Sequence, residues 1–367
     1  MRPIYTWQHP TWPEFTWDNS RLINLLSEVR NLEGRIQGLM GGLGFEVQNK
    51  TSLDVMTEEV VRSSEIEGET LNYDKVRSSM AIKLGIEVEG LPSADNYTEG
   101  IVQVMLDAVR GRDKALTHER LFNWHAALFP TGRSGMSPIT VAAYRVGKEP
   151  MQVVSGAMGK EKVHYEAPKS EDVPAMMDDF LSWANADNNI DPVLKAAIAH
   201  MWFVAIHPFD DGNGRLARTI TDMLLAKADG MPHRFYSMSA EILKERKAYY
   251  EILEKTTTGS TDITAWLEWF LQTMKSAIFR SESMVQRVIK KASFWQRNRE
   301  VSMNERQVKV INRLWDDFEG KLTTSKWAKM TKTSQATALR DITDLIEKGI
   351  LIISDDGGRS TNYLLKE

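Results

Sequence analysis

Apolar positions recur at helical spacing over most of the chain. In "SRLINLLSEVRNLEGRI" they fall at Leu22, Leu25, Leu26, Val29 and Leu32, the stripe of an amphipathic helix. "GLMGGLGF", from Gly38 to Phe45, matches neither the dinucleotide nor the P-loop glycine pattern and has no strand before it, so a turn or irregular segment is expected. "SLDVMTEEVVRSSEIEGE" resumes helical spacing and should stop near Gly68. Further helices follow "GLPSADNY" (Gly90 to Tyr97). Between Tyr144 and Pro168 the pattern changes: "MQVVSG" and "EKVHYEAP" are β-prone runs around a Gly-containing turn, a predicted hairpin. "DVPAMMDDFLSWANA" and "DPVLKAAIAHMWFVAI" are helical again. The second is apolar almost all round, as a central buried helix is, and runs directly into His207. "KERKAYYEILEKTTT" and "DITAWLEWFLQTMKSAIFRSESMVQRVIKKA" are the next helices. The last seventy or so residues read as helix, tight turn, helix, strand, Asp-Gly-Gly turn, strand, the order of a winged helix-turn-helix. The first twenty residues place Trp7, Trp12 and Trp17 among Pro10 and Pro13, which argues for an extended arm whose indoles dock onto a domain, with a ligand-stacking surface as the alternative.

A chain of 367 residues is long enough for two or three domains. The expected division is 1–98, a Trp-rich arm and helical region; 99–290, a core; and 300–367, the winged helix-turn-helix. A formal net charge of −4 gives no whole-chain signal for nucleic acid or an anionic membrane. The absence of cysteine excludes disulfides, thiolate metal sites and a Cys nucleophile. The N-terminus lacks the apolar core of a signal peptide, and no stretch approaches about 18 uninterrupted apolar residues. A cytoplasmic protein without a membrane partner is expected.

The candidate chemistry is concentrated in "HPFDDGNGRLAR", residues 207–218. Pro208 should end the buried helix at His207. Gly212, Asn213 and Gly214 permit unusual backbone conformations and close ligand approach. A new helix then begins, with Leu216, Ile220, Met223 and Leu224 on its apolar face and Arg215 and Arg218 side by side on another. A Gly-rich turn opening a helix presents free N–H groups and the positive dipole end to an anion. Two arginines add donors fitted to phosphate oxygens. Asp211 is a hard ligand suited to Mg²⁺, and His207 is the nearby side chain whose pKa suits proton abstraction. These are parts of a group transfer from a nucleotide. No pair of histidines has zinc spacing, and His200, two turns before His207, is expected to be a hydrogen-bonded core residue.

The same stretch resembles the Fic-domain signature, His-x-Phe-x-Asp/Glu-Gly-Asn-Gly-Arg-x-x-Arg, at His207, Phe209, Asp211, Gly212, Asn213, Gly214, Arg215 and Arg218. Similarity extends through the preceding helix, the hairpin, "YYEIL" and "DITAWLEWF", and the two flanks look like those of a common bacterial Fic architecture. The resemblance implies a mainly α protein: a helical Fic-type core with a β-hairpin flap, plus the C-terminal winged helix-turn-helix. It implies transfer of AMP from ATP to a Tyr, Thr or Ser hydroxyl of a protein, or of the chain itself, with release of pyrophosphate. His207 would deprotonate the hydroxyl and Asp211 would hold Mg²⁺ on the α- and β-phosphates. Gly212, Asn213, Gly214 and Arg215 would cradle the phosphates, and Arg218 would reach the γ-phosphate. Phe209 would anchor the loop. Val163 and His164 would sit in the flap that pairs with the target backbone, and Tyr250 and Leu253 would flank the adenine. Gly214 favours nucleotidyl transfer over the related phosphotransferase branch.

"SSEIEGE" carries Ser63, Glu67 and Gly68, which resemble the family's inhibitory motif Ser/Thr-x-x-x-Glu-Gly/Asn. Glu67 would pair bidentately with Arg218 and leave ATP in an unproductive pose, with Ser63 one turn earlier on the same face. The C-terminal module has eight Lys or Arg against six Asp or Glu over 321–367, only a weak basic excess. Ser334, Gln335, Thr337 and Arg340 open its second helix and could reach DNA, and a protein-docking or self-association role is equally open. Two rival functions remain beside the autoinhibited transferase: a nucleotide-sensing DNA-binding regulator, and a hydrolase that removes AMP. The protein target and a homodimer are left open.

Overall fold

Capping side chains mark out most of the helices. In the computed structural model, which describes residues 4–87, 92–155, 162–231, 234–315, 318, 320–354 and 361–366, the Asp18 carboxylate accepts the Ser20 N–H at 2.8 Å and opens α1 (Asn19–Gly41). Leu22, Val29, Ile36 and Met40 form its buried face. That face continues through Gly38, so the segment expected to be irregular is helical up to Gly41 and turns only before α2 (Phe45–Ile66). Burial of Ile36 and Met40 outweighs the roughly 1 kcal/mol that each helical glycine costs. α2 stops at its Glu67 C-cap, and Gly68 follows with φ +85°.

Four more helices and two short hairpins lead to the centre of the fold. α3 (Tyr73–Leu84), α4 (Asn96–Arg110) and α5 (His118–Leu128) are capped by Asn72, Asp95 and Thr117. A two-residue hairpin, β1 (Arg133–Ser134) with β2 (Ser137–Pro138), is too short to leave a periodic signal in the sequence. β3 (Gln152–Ser155) and β4 (Lys162–Glu166) form the expected antiparallel hairpin, with a register shift between Val153 and Val154. The turn expected between them, 156–161, lies outside the described residues. α6 (Val173–Asn185) and α7 (Pro192–Ile206) follow, and α7 is buried almost all round. α7 packs along α8 (Asn213–Asp229), while α2 packs on α3 and on α9 (Met238–Lys244). α10 (Arg246–Thr256) and α11 (Thr264–Arg297) complete the series.

The N-terminal arm includes one 3-10 turn, Thr6–Gln8. It is pinned by backbone bonds from Thr6 N to Thr257 O (2.9 Å) and from Thr16 N to Thr261 O (3.0 Å). The Trp7 indole donates to the Glu166 carbonyl at 2.8 Å, and Trp12 sits edge-on to Trp202. Trp17 instead donates to Asn19 beside it.

The chain divides into two compact units, 1–282 and 283–367. The second contains α12 (Glu305–Trp315), α13 (Thr324–Thr331), α14 (Gln335–Glu347) and the antiparallel pair β5 (Leu351–Ile353) and β6 (Tyr363–Leu365). Its own core is built from Phe294, Val310, Ile311, Trp327, Ile342 and Leu345. The expected Asp-Gly-Gly turn lies outside the described residues. Among the described residues, no helix is long and apolar enough to cross a membrane.

Candidate functional site

The site is built where α7 ends and α8 begins. His207 caps α7 in the left-handed region (φ +53°, ψ 57°), its N–H still bonded to Phe203 O at 3.0 Å. Pro208 has no N–H and cannot extend the ladder. The His207 Nδ1 lies 3.3 Å from the Val204 carbonyl. A carbonyl only accepts, so Nδ1 carries the proton and Nε2 keeps its lone pair. Burial pushes the imidazole down to about 4, with the nearby Arg145 charge acting the same way and Glu67 and Asp211 opposing. The group is therefore a neutral base at neutral pH.

The loop after His207 is fixed from below. Phe209 is fully buried and stacks on His125, with ring centroids 4.3 Å apart. Asn213 reaches back to Phe209, accepting its N–H at 3.0 Å and donating to its carbonyl at 2.8 Å. Its side chain thus closes the loop, which leaves the backbone N–H as the Asn213 group at the head of α8. Gly212 has φ +80°, and a β-carbon there would lie 2.8 Å from the Phe129 ring, so both conformation and space demand glycine. The first-turn N–H groups of α8 have no intrahelical acceptors.

Both arginines of α8 are buried and held. Arg218 donates from Nε to Ser63 Oγ at 2.8 Å and from Nη2 to Ser63 O at 2.9 Å and Glu67 Oε1 at 2.8 Å. The ion pair uses a single carboxylate oxygen rather than the bidentate fork expected: Nε and Nη2 go to Ser63, and Nη2 alone also reaches Glu67. The second oxygen, Glu67 Oε2, lies 3.2 Å from the Tyr250 hydroxyl. Burial acts against the Arg218 charge, but Glu67 and the two tyrosines Tyr249 and Tyr250 outweigh it and hold the guanidinium above its ordinary value. Gly68 ends the segment that presents Glu67. Arg215 donates from Nη1 to Glu69 Oε2 at 2.8 Å and to the Tyr97 hydroxyl at 3.0 Å, and its guanidinium lies over the Phe129 ring at 4.8 Å. Tyr97 donates in turn to Glu69, and burial with that bond pushes its phenol up to about 12.

Asp211 accepts the Gly212 N–H on Oδ1 and the Ser134 hydroxyl on Oδ2. No cluster of three or more His, Asp or Glu side chains suited to a metal occurs among the described residues. A Mg²⁺ at Asp211 would need most of its oxygens from phosphate and water, which is how that ion is usually bound.

The remaining residues singled out in the sequence surround this centre. Val163 is exposed on β4, directly opposite Val154. His164 Nδ1 lies 2.7 Å from Glu254 on α10. Tyr250 is partly open beside Glu67, whereas Leu253 is only 7% exposed and faces the core. His200 is buried between Thr221 and Tyr249, 2.9 Å from each hydroxyl, and burial pushes it down to about 3. Glu69, Tyr97, His125, Ser134 and Arg145 join the site from other parts of the chain. No fixed spacing links them to residues 207–218, so only tertiary contact brings them in.

Residues 115–225 match the Fic/DOC family, and residues 5–86 match a family described as a domain of unknown function, DUF4172. The chain is 25% identical over 245 residues to the protein adenylyltransferase Fic of Culex quinquefasciatus, covering 64% of this chain and 42% of that protein. It is 25% identical over 249 residues to that of Drosophila grimshawi, covering 66% and 46%. The chain therefore spans less than half the length of these relatives. Its fold is similar to a Fic family protein from Desulfovibrio desulfuricans G20 (TM-score 0.52, 19% identity, 94% of this chain and 95% of that one). It is also similar to a Fic domain containing signaling protein from Bacteroides thetaiotaomicron VPI-5482 (TM-score 0.51, 20% identity, 72% and 94%).

Proposed function

We propose that this chain, which carries a Fic/DOC-family domain across residues 115–225, transfers AMP from ATP to a protein hydroxyl and is held inactive by its own α2 segment. The observation that carries the first half is the His207 imidazole, neutral and with Nε2 free of the Val204 bond, at the head of a Gly-rich helix start. Nε2 takes the proton of a target Tyr, Thr or Ser hydroxyl. The hydroxyl oxygen attacks the α-phosphorus, the bond to the β-phosphate oxygen breaks, and pyrophosphate leaves. The first turn of α8, from Gly212 through Asn213 and Gly214 to Arg215, binds the phosphate chain, and Arg218 binds its γ-end. Asp211 would hold Mg²⁺, which supplies charge neutralisation on the phosphates. Tyr250 lies at the edge of the site as an adenine contact, and Leu253 supports it from the core. The β3–β4 hairpin, with Val163 and His164 on β4, offers a strand edge to which an extended target segment can add.

The second half rests on the Glu67–Arg218 pair and on Ser63, which together occupy the guanidinium that ATP requires. The reading is tested by incubating the intact chain and its Glu67→Gly variant with α-labelled ATP and Mg²⁺, with mass spectrometry of any labelled protein. AMP joined covalently to protein supports transfer. Nucleotide binding without covalent label supports a sensor, and loss of AMP from pre-labelled protein supports the reverse hydrolysis.

A further inference from the structure

Arg145 is 4% exposed, and its guanidinium hydrogen-bonds to backbone carbonyls rather than to carboxylates, with the Asp210 charge nearby but not paired to it. Its Nε donates to the His207 carbonyl at 2.8 Å and its backbone N–H to the Pro208 carbonyl at 2.9 Å. Its Nη2 donates to the Pro168 carbonyl, two residues beyond β4. No ion pair of Arg145 occurs among the described residues. A buried guanidinium without a carboxylate is costly unless its N–H groups are satisfied. Here they are spent on the His207 carbonyl and on the exit of the hairpin, while the Arg145 backbone N–H takes the Pro208 carbonyl.

His207 needs such a hold. A non-glycine residue at positive φ persists only where its surroundings over-determine it. The stretch 140–145 supplies further fastenings to the same loop. Thr140 N donates to Asp210 Oδ2 at 2.8 Å, and Ala142 N donates to His125 Nδ1 at 3.3 Å. That bond fixes the His125 tautomer, so its Nε2–H faces the Asp211 carbonyl at 3.2 Å. Of these contacts, only the Arg145 guanidinium touches both the His207 peptide and the hairpin.

We propose that Arg145 is a positioning residue: it fixes the left-handed turn that aims the His207 imidazole and ties that turn to the foot of the β3–β4 hairpin. The base and the strand edge that would receive a target are thereby held in one frame. The inference deepens the transferase reading and rests on it for the role of His207, while the placement of the turn is independent of it.

The test compares Arg145→Met and Arg145→Lys in the full chain carrying Glu67→Gly. Methionine keeps the volume and removes the donors; lysine keeps the charge but has one head where two separated carbonyls must be met. Transfer by the Met variant should fall by roughly 10–100-fold in kcat, with KM for ATP within about twofold, because misplacing a base costs rate rather than nucleotide affinity. Lysine should recover part of the loss. Amide hydrogen exchange should rise at His207 and Phe209 while α7 keeps its protection. Unchanged kcat in the Met variant, or a rise in exchange spread over the whole of 1–282, would overturn the proposal in favour of a purely structural arginine. If the Glu67→Gly parent transfers no AMP, the transferase reading fails by itself. Exchange then still decides the turn: a local rise at His207 and Phe209 upholds the placement, and no rise sinks it.

Discussion

Glu67 and Gly214 share one space: a β-carbon on Gly214 would collide with the Glu67 carboxylate that pairs with Arg218. Gly214→Ala should therefore change sign with its background. With Glu67 present, the clash should destabilise the chain by about 1–3 kcal/mol. With Glu67→Gly, the carboxylate is gone and alanine should stabilise α8 by roughly 0.5–1 kcal/mol through helix propensity. Denaturant melts of the four proteins measure this coupling. Additive effects would mean that Glu67 does not hold its observed position in solution.

Glu67→Gly should raise AMP transfer, most visibly as self-modification. Arg218 is freed to orient the phosphate chain, and misalignment alone can cost about 10²-fold. Arg218→Ala should not reproduce the gain, since it removes the partner of Glu67 and the phosphate ligand together. The double variant should be nearly inactive. Parallel labelling assays decide it, and a Glu67→Gly protein no faster than the unmodified chain would refute the inhibitory reading.

Glu69 and Tyr97 hold Arg215 as Glu67 and Ser63 hold Arg218. Tyr97→Phe removes the hydroxyl that accepts from the guanidinium and donates to Glu69, and leaves the direct Arg215–Glu69 pair without that support. In the Glu67→Gly background, ATP should then bind about 3–10-fold more tightly, a modest gain because Glu69 is partly exposed. Calorimetric titration with ATP and Mg²⁺ checks it. Weaker binding would show instead that Tyr97 aims Arg215 at the phosphates.

His207→Ala should reduce transfer by roughly 10²–10⁴-fold while ATP binding stays nearly intact. The acid limb of the rate should lie near the imidazole ionisation at about 4 rather than at that of a free histidine. The sign follows from burial: the folded state takes up this proton less readily than the unfolded chain. Stability contributed by neutral His207 should therefore fall between about pH 6.5 and 4, and that of His200 between about pH 6.5 and 3, each levelling off below. A rate profile with its acid limb near 6.5 would place the base in a solvated environment.

The intact chain should bind DNA weakly, with a shallow dependence on salt, because residues 321–367 carry only a small basic excess. Each neutralised phosphate contributes a slope of about −0.9 in log K against log salt. A slope of about −6 or steeper in a filter or anisotropy titration would reveal a clustered basic face.

Much of this molecule was legible before folding. Local rules acted on short stretches: the apolar run that became α7, the proline that ended it, the glycines that opened α8, and the Ser63–Glu67 spacing that put both residues on one helical face. Where burial competed with a local rule, the rule lost, as when α1 ran on through Gly38. The contacts that set the chemistry came from elsewhere in the chain. That Glu67 would meet Arg218 through one oxygen and Tyr250 through the other was set by the packing of α2 against α8 and α10, and Asn213 spent its side chain on the Phe209 backbone, closing the loop. His125, Arg145, Tyr97 and Glu69 carried no signal in sequence, since their roles arise from packing distant segments against one loop. Spacing along a chain fixes what lies on one face of one element; which face meets which is decided only when the cores of α2, α7 and α8 close on one another.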